Sequence, residues 1–139
     1  LEQLGVPESF VSAPESAKVG KFFGCKNLLE GKLQNGKFTI KGLELNTEEH
    51  LTRSRVIAAI RQEDLSLSEI GVPDSFAAQI IDWQFVGSRV LVRCDVIADG
   101  GGPTVFVEVD RFEDLSRSAK IFIKYSPRRI HLITSKDSN

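Results

Sequence analysis

Few residues in this chain could do chemistry, and they are scattered. His50 and His131 are its two histidines, and imidazole is the side chain whose charge changes nearest neutral pH. His50 occupies the place that Asp114 fills in a second, similar stretch, on a turn read as exposed. His131 stands inside a strand among basic neighbours. Both are read as solvated rather than as general bases. The carboxylates Asp95, Asp99, Glu108, Asp110, Glu113 and Asp114 could in principle supply a hydrolytic acid pair. However, Glu108 and Asp110 alternate with Val107 and Val109, which places them on the polar face of a strand, where charge serves solubility. Gly100-Gly101-Gly102-Pro103 is glycine-rich but lacks the Gly-Lys-Ser/Thr ending and following helix of a phosphate loop, so it reads as a hairpin loop. Cys25 and Cys94 are too far apart for a metal knuckle or a redox pair and read as buried small apolar side chains, with a disulfide between them as the other reading. No catalytic residue, cofactor or metal is assigned, and the reading leans away from an enzyme.

One charge cluster stands out: Arg117, Lys120, Lys124, Arg128, Arg129 and His131, followed by Lys136. Strand alternation lets Lys120, Lys124 and Arg128 share a face, with Tyr125 pointing the other way. Such a surface can grip a nucleic-acid backbone or another anion. Lysines on an edge strand also oppose pairing with another chain, so edge protection is the competing account.

Those residues must be positioned by a strand-rich scaffold. The 139 residues are 41% hydrophobic and 27% charged, within the range of a single globular domain able to bury its own core. The 18 basic and 19 acidic residues nearly cancel, so any charge-based partner must use a local patch. Apolar runs such as Val56 to Ile60 are far short of a transmembrane span. A start at Leu1, without Met or a basic-then-apolar leader, points to a trimmed or processed chain.

Leu1 to Phe10 (LEQLGVPESF) and Leu67 to Phe76 (LSEIGVPDSF) agree at six of ten positions. Leu43 to Ser54 and Val107 to Ser118 align at nearly the same offset, which argues for two tandem copies of a repeat of about 65 residues. Repeat 1 spans about 1–66 and repeat 2 about 67–134 of one domain, with 135–139 as a disordered tail. Strands are expected at Leu28 to Leu33 and Lys37 to Leu45 around an Asn35-Gly36 turn, with a bulge at Gly42. A second hairpin joins Gln79 to Phe85 and Arg89 to Ile97, its inward set being Ile81, Trp83 and Phe85 against Val90, Val92 and Cys94. Thr104 to Val109 alternates, and Lys120 to Tyr125 and Arg129 to Thr134 flank a Ser126-Pro127-Arg128 turn. Thr47 to Arg61 alone reads as a helix capped by Asn46, but comparison with the second copy favours a short helical turn around Glu48 to Ser54 and then a strand. The fold class is mainly β, with β-rich α+β as alternative: antiparallel hairpins with short helical turns forming a pseudo-twofold sandwich, barrel or curved sheet.

The stretch Leu28 to Leu45, LLEGKLQNGKFTIKGLEL, resembles in its glycine spacing the repetitive strands of bacterial lipid-handling β proteins of the AsmA and TULIP-like type. That resemblance implies a curved sheet sheltering acyl chains. On the residues themselves, the first functional reading is a non-catalytic module recognising another protein or a larger assembly. A carrier of an apolar, lipid-like ligand is the second, with Phe22, Phe23, Trp83, Phe85, Phe106 and Phe122 as the lining set. Nucleic-acid or anion binding through the basic C-terminal strands is the third.

Overall fold

The computed structural model describes residues 24–110 and 115–134. The segment Leu1 to Phe10, Phe22, Phe23, Glu113, Asp114 and the tail 135–139 lie outside the described residues. The mainly β expectation holds: the strands are β1 Asn27–Gln34, β2 Lys37–Ile40, β3 Leu43–Asn46, β4 Arg53–Ile60, β5 Ser66–Ser68, β6 Ser75–Val86, β7 Arg89–Val96, β8 Thr104–Asp110, β9 Lys120–Lys124 and β10 His131–Thr134. The helical elements among the described residues are two 3-10 turns, Gln62–Asp64 and Pro127–Arg129.

The strands form two five-stranded sheets, ordered β10-β4-β1-β2-β3 and β5-β9-β6-β7-β8. Contacts divide the chain into two compact units. Of the described residues, one unit holds 24–40, Glu44–Arg61 and 127–134; the other holds Lys41–Leu43, 62–110 and 115–126. The two sheets trace the same path, with one exchange. The strand that follows β4 after a 3-10 turn, β5, lies at the edge of the β6–β9 sheet, whereas the strand that follows β9 after a 3-10 turn, β10, pairs with β4. The Ser126-Pro127-Arg128 stretch therefore does not close a hairpin, as its turn chemistry suggested; it carries the chain from one sheet to the other.

In the first unit, β4 lies between β1 and β10, and Val56 to Ile60 are all buried. A central strand covered on both faces needs a continuous apolar run, which is also why this stretch imitates a helix in sequence. The helical reading of Thr47 to Arg61 is thus corrected to a strand, and no helical turn forms over Glu48 to Ser54. Asn46 does not cap it, because its Oδ1 accepts from Lys37 Nζ at 2.7 Å. Thr47 Oγ1 accepts from the Glu49 backbone N–H at 3.2 Å, a local bond that competes with helix formation. Asn35 (φ 49°) and Gly36 (φ 86°) make the expected turn. At Lys41 (φ 45°) and Gly42 (φ 84°) the expected bulge is instead a second two-residue hairpin turn, which splits Lys37 to Leu45 into β2 and β3.

In the second unit, β6 pairs with β7 and β7 with β8, with Val90, Val92 and Cys94 buried on β7 and Val105, Val107 and Val109 on β8. The inward set expected on β6 is corrected: the β6–β7 register shifts between Ile80 and Asp82. Ile80 is then buried, Ile81 and Trp83 are half-buried, and Phe85 near the hairpin tip is 64% exposed. The Gly100–Gly102 segment forms the β7–β8 connection, with Val96 N–H donating to Pro103 O at 2.9 Å.

Candidate anion-binding site

The outward face of β7 alternates Arg89, Leu91, Arg93 and Asp95 between buried neighbours. Register sets Asp82 of β6 and Phe106 of β8 on either side of Arg93. Arg93 Nε donates to Asp82 Oδ1 at 3.1 Å and Nη2 donates to Oδ2 at 2.7 Å, a two-pronged contact that matches the flat guanidinium to the carboxylate. The hydrogen bond from Arg93 is the main cause holding the Asp82 carboxyl below its usual range; the Arg93 and Arg117 charges add to it, against some desolvation. The same bond raises the Arg93 pKa.

Arg117, from the segment before β9, lays its guanidinium 5.5 Å from the centroid of the Trp83 ring. Arg93, Arg117, Trp83, Gln84 and Phe106 line one open depression of about 380 Å³ with Asp82. Two guanidinium groups thus meet one carboxylate, and the Gln84 amide adds neutral donors.

The basic cluster read from sequence is divided. Arg117, Lys120 and Lys124 belong to the second unit, whereas Arg128 and Arg129 on the 3-10 turn and His131 on β10 belong to the first. Lys120 and Lys124 are exposed on one face of β9, while Tyr125 is buried. The Lys120 ammonium sits 5.7 Å from the Phe122 ring centroid. Arg128 lines a separate depression with Thr47, Glu48 and Glu49. Of the aromatic set, Trp83 and Phe106 share the guanidinium depression. Phe122 packs on Gly71 and Phe85 is exposed, an arrangement that gives the lipid-carrier reading no support.

The carboxylates are dispersed. Glu108 pairs with Arg89, Asp95 accepts from the Thr104 hydroxyl at 2.8 Å, and Asp99 and Asp110 are exposed. His50 is exposed beside the Asn35-Gly36 turn. Among the described residues no group of three or more His, Cys, Asp and Glu is placed to hold a metal. Cys25 and Cys94 are both buried and form no disulfide; the Cys25 thiol donates to Ile60 O at 3.3 Å. Sequence reasoning missed Asp82, Gln84 and Arg93; the available signal was the charged residues alternating with the apolar set of β7.

No family model matches the chain. It is similar to the sulfate/thiosulfate import ATP-binding protein CysA of two Bacillus cereus strains, at 30% identity over 142 residues and 29% over 142 residues. The protein of the same name from Nitrosomonas europaea is 28% identical over 147 residues. These matches take in 99 to 100% of this chain but only 39 to 40% of the relatives, so the chain spans about two fifths of their length. Among solved structures, the cytoplasmic molybdate-binding protein ModG with molybdate bound superimposes with a TM-score of 0.63. The match covers 78% of this chain and 96% of that one at 11% identity, a likeness of fold. No helix among the described residues is long and apolar enough to cross a membrane. The reading as a protein-recognition module is corrected by these comparisons, which lead to proteins named for sulfate, thiosulfate and molybdate.

Proposed function

We propose that this chain binds a small tetrahedral oxyanion of the sulfate class, as a part of an import ATP-binding protein. The observation carrying this reading is the meeting of Arg93, Arg117 and Gln84 in one depression with Asp82 as counter-charge. A guanidinium offers parallel N–H donors at the spacing of two oxygens of one oxyanion. Arg117 meets Trp83 through its charge over the ring, a contact that need not use up its N–H donors. Arg93 commits Nε and Nη2 to Asp82 and keeps further N–H groups. The names of the sequence relatives and the molybdate-bound fold neighbour support the ligand class.

Trp83 is the sole tryptophan, so its emission reports on the depression directly. Titration with sulfate, thiosulfate and molybdate at constant ionic strength should give a saturable change, and calorimetry should give the same constants. Arg117→Ala should weaken binding by roughly ten- to a hundredfold, the worth of a charge-assisted hydrogen bond. Absence of saturation with all three anions, an equal response to chloride, or unchanged calorimetric affinity in Arg117→Ala would sink the reading.

A further inference from the structure

The outward face of β6, β7 and β8 carries more than the Asp82–Arg93 pair. Residues directly opposite each other on neighbouring antiparallel strands point to the same side of the sheet. Register therefore sets Asp82, Arg93 and Phe106 in one row across the three strands, and Gln84, Leu91 and Glu108 in the next. Val92 and Val107, which lie between these rows, are buried. Leu91 and Phe106 are then half-buried apolar side chains on a face otherwise made of charged and polar groups. They are diagonal neighbours, a spacing within reach of an aromatic ring. Both line the depression that holds Arg93 and Arg117, so an apolar strip runs beside the guanidinium groups.

We infer that the ligand of this depression is an aryl sulfonate or aryl sulfate monoester, its sulfonate head on the guanidinium groups and its ring on Phe106 and Leu91. This inference rests on the oxyanion reading above and narrows its ligand class. A bare oxyanion gains nothing from the apolar strip, whereas an attached ring buries it and meets Phe106 as one aromatic meets another. The volume of about 380 Å³ suits a small organic molecule better than a five-atom ion, since such sites span roughly 300–1,000 Å³. Charge points the same way. Glu108 is held by Arg89 at 3.2 Å, so the depression sets two guanidinium groups against the Asp82 carboxylate, and two minus one leaves a single positive charge. A singly charged sulfonate head cancels that surplus, whereas a dianion brings one negative charge too many beside Asp82.

The test is calorimetric titration of the whole chain with benzenesulfonate, ethanesulfonate, benzoate and sulfate at constant ionic strength. We expect benzenesulfonate to bind roughly three- to tenfold tighter than ethanesulfonate, the worth of one aromatic pair, and both to bind tighter than sulfate. Benzoate, whose planar carboxylate lacks the tetrahedral head, should bind more weakly than benzenesulfonate. Phe106→Ala should bring benzenesulfonate down to the level of ethanesulfonate, and Phe106→Leu should keep part of the difference. If Phe106→Ala does not fold, the ranking of the four anions on the native chain decides alone. Sulfate that saturates while benzenesulfonate binds no tighter overturns this inference and leaves the oxyanion reading standing. Benzoate matching benzenesulfonate overturns it too, and saturation by none of the four ends both readings.

Discussion

Asp82 and Arg93 face each other across β6 and β7 and are joined by two hydrogen bonds, one to each carboxylate oxygen. Both groups stand in solvent, so the contact matters less for folding than for aiming the remaining Arg93 donors into the depression. Because the bond from Arg93 depresses the Asp82 pKa below its ordinary 3.8, the native state holds this carboxylate ionised to lower pH than the unfolded chain does. The associated stability is present above the unfolded value and is lost as pH falls through the native one. Carboxyl NMR should give an Asp82 midpoint below 3.8, and Arg93→Gln should raise it toward that value. A midpoint unchanged by Arg93→Gln would show that another group sets it.

Cys94 is fully buried on β7, and burial, aided by the Asp95 charge, pushes its thiol up to about 12. A thiol with a raised native pKa favours the native state below the unfolded value, and this contribution declines as pH rises toward 12. In the native protein at pH 8, Cys94 should therefore resist alkylation and become reactive only on unfolding. Mass mapping after timed iodoacetamide exposure checks this, and rapid native labelling of Cys94 would contradict it. Cys94→Ser, which places a hydroxyl in the same apolar surroundings, should cost about 1–3 kcal/mol by urea denaturation.

Lys41 occupies a left-handed position that asparagine adopts more readily, and with Gly42 it makes the turn between β2 and β3. Lys41→Asn should raise stability by up to about 1 kcal/mol, read as a higher urea midpoint at unchanged slope. A lower midpoint would mean that the lysine side chain holds the turn by a contact worth more than the backbone strain.

These turns mark where sequence reasoning succeeds and where it stops. Asn35-Gly36 is a strong local signal because both residues tolerate positive φ. Lys41-Gly42 carries only half of that signal, and a bulge was the reasonable expectation. Val90, Val92 and Cys94 were legible through alternation, whereas the shift at Ile81 was not, because a register change depends on the partner strand. The path of β10 was illegible for the same reason: Ser126-Pro127-Arg128 announces a turn but not which sheet receives the next strand. At the candidate site, Arg117 is legible as part of a basic cluster in sequence, whereas Arg93 is not, because only the strand register sets Asp82 opposite it.

Gly31 of β1 is a packing requirement. A methyl group there would press on the Thr39 carbonyl oxygen and come within 2.8 Å of the Phe38 ring, and Phe38 is wholly buried. Gly31→Ala should cost about 1–3 kcal/mol, as overpacking does. Adding Phe38→Leu should recover part of that loss relative to the sum of the single variants, and strict additivity in a double-mutant cycle would show that the ring is not the obstacle.

Ile133 tests whether the exchanged strand holds its sheet together. β10 is four residues long, yet it pairs with β4 along its whole length, and Ile133 joins Cys25, Leu28, Ile57 and Ala59 in one buried cluster. Ile133→Ala should cost about 2–5 kcal/mol, the range for removing a buried branched side chain. Since β10 pairs with β4 of the first unit, the loss should be local at first. Hydrogen exchange should accelerate in β1 and β4 before β6, β7 and β8, whose ladder has no part in that cluster. Equal acceleration in both sheets would mean that the two units unfold as one cooperative body, and β10 would then be one contributor among many to a shared stability rather than the clasp of a single sheet.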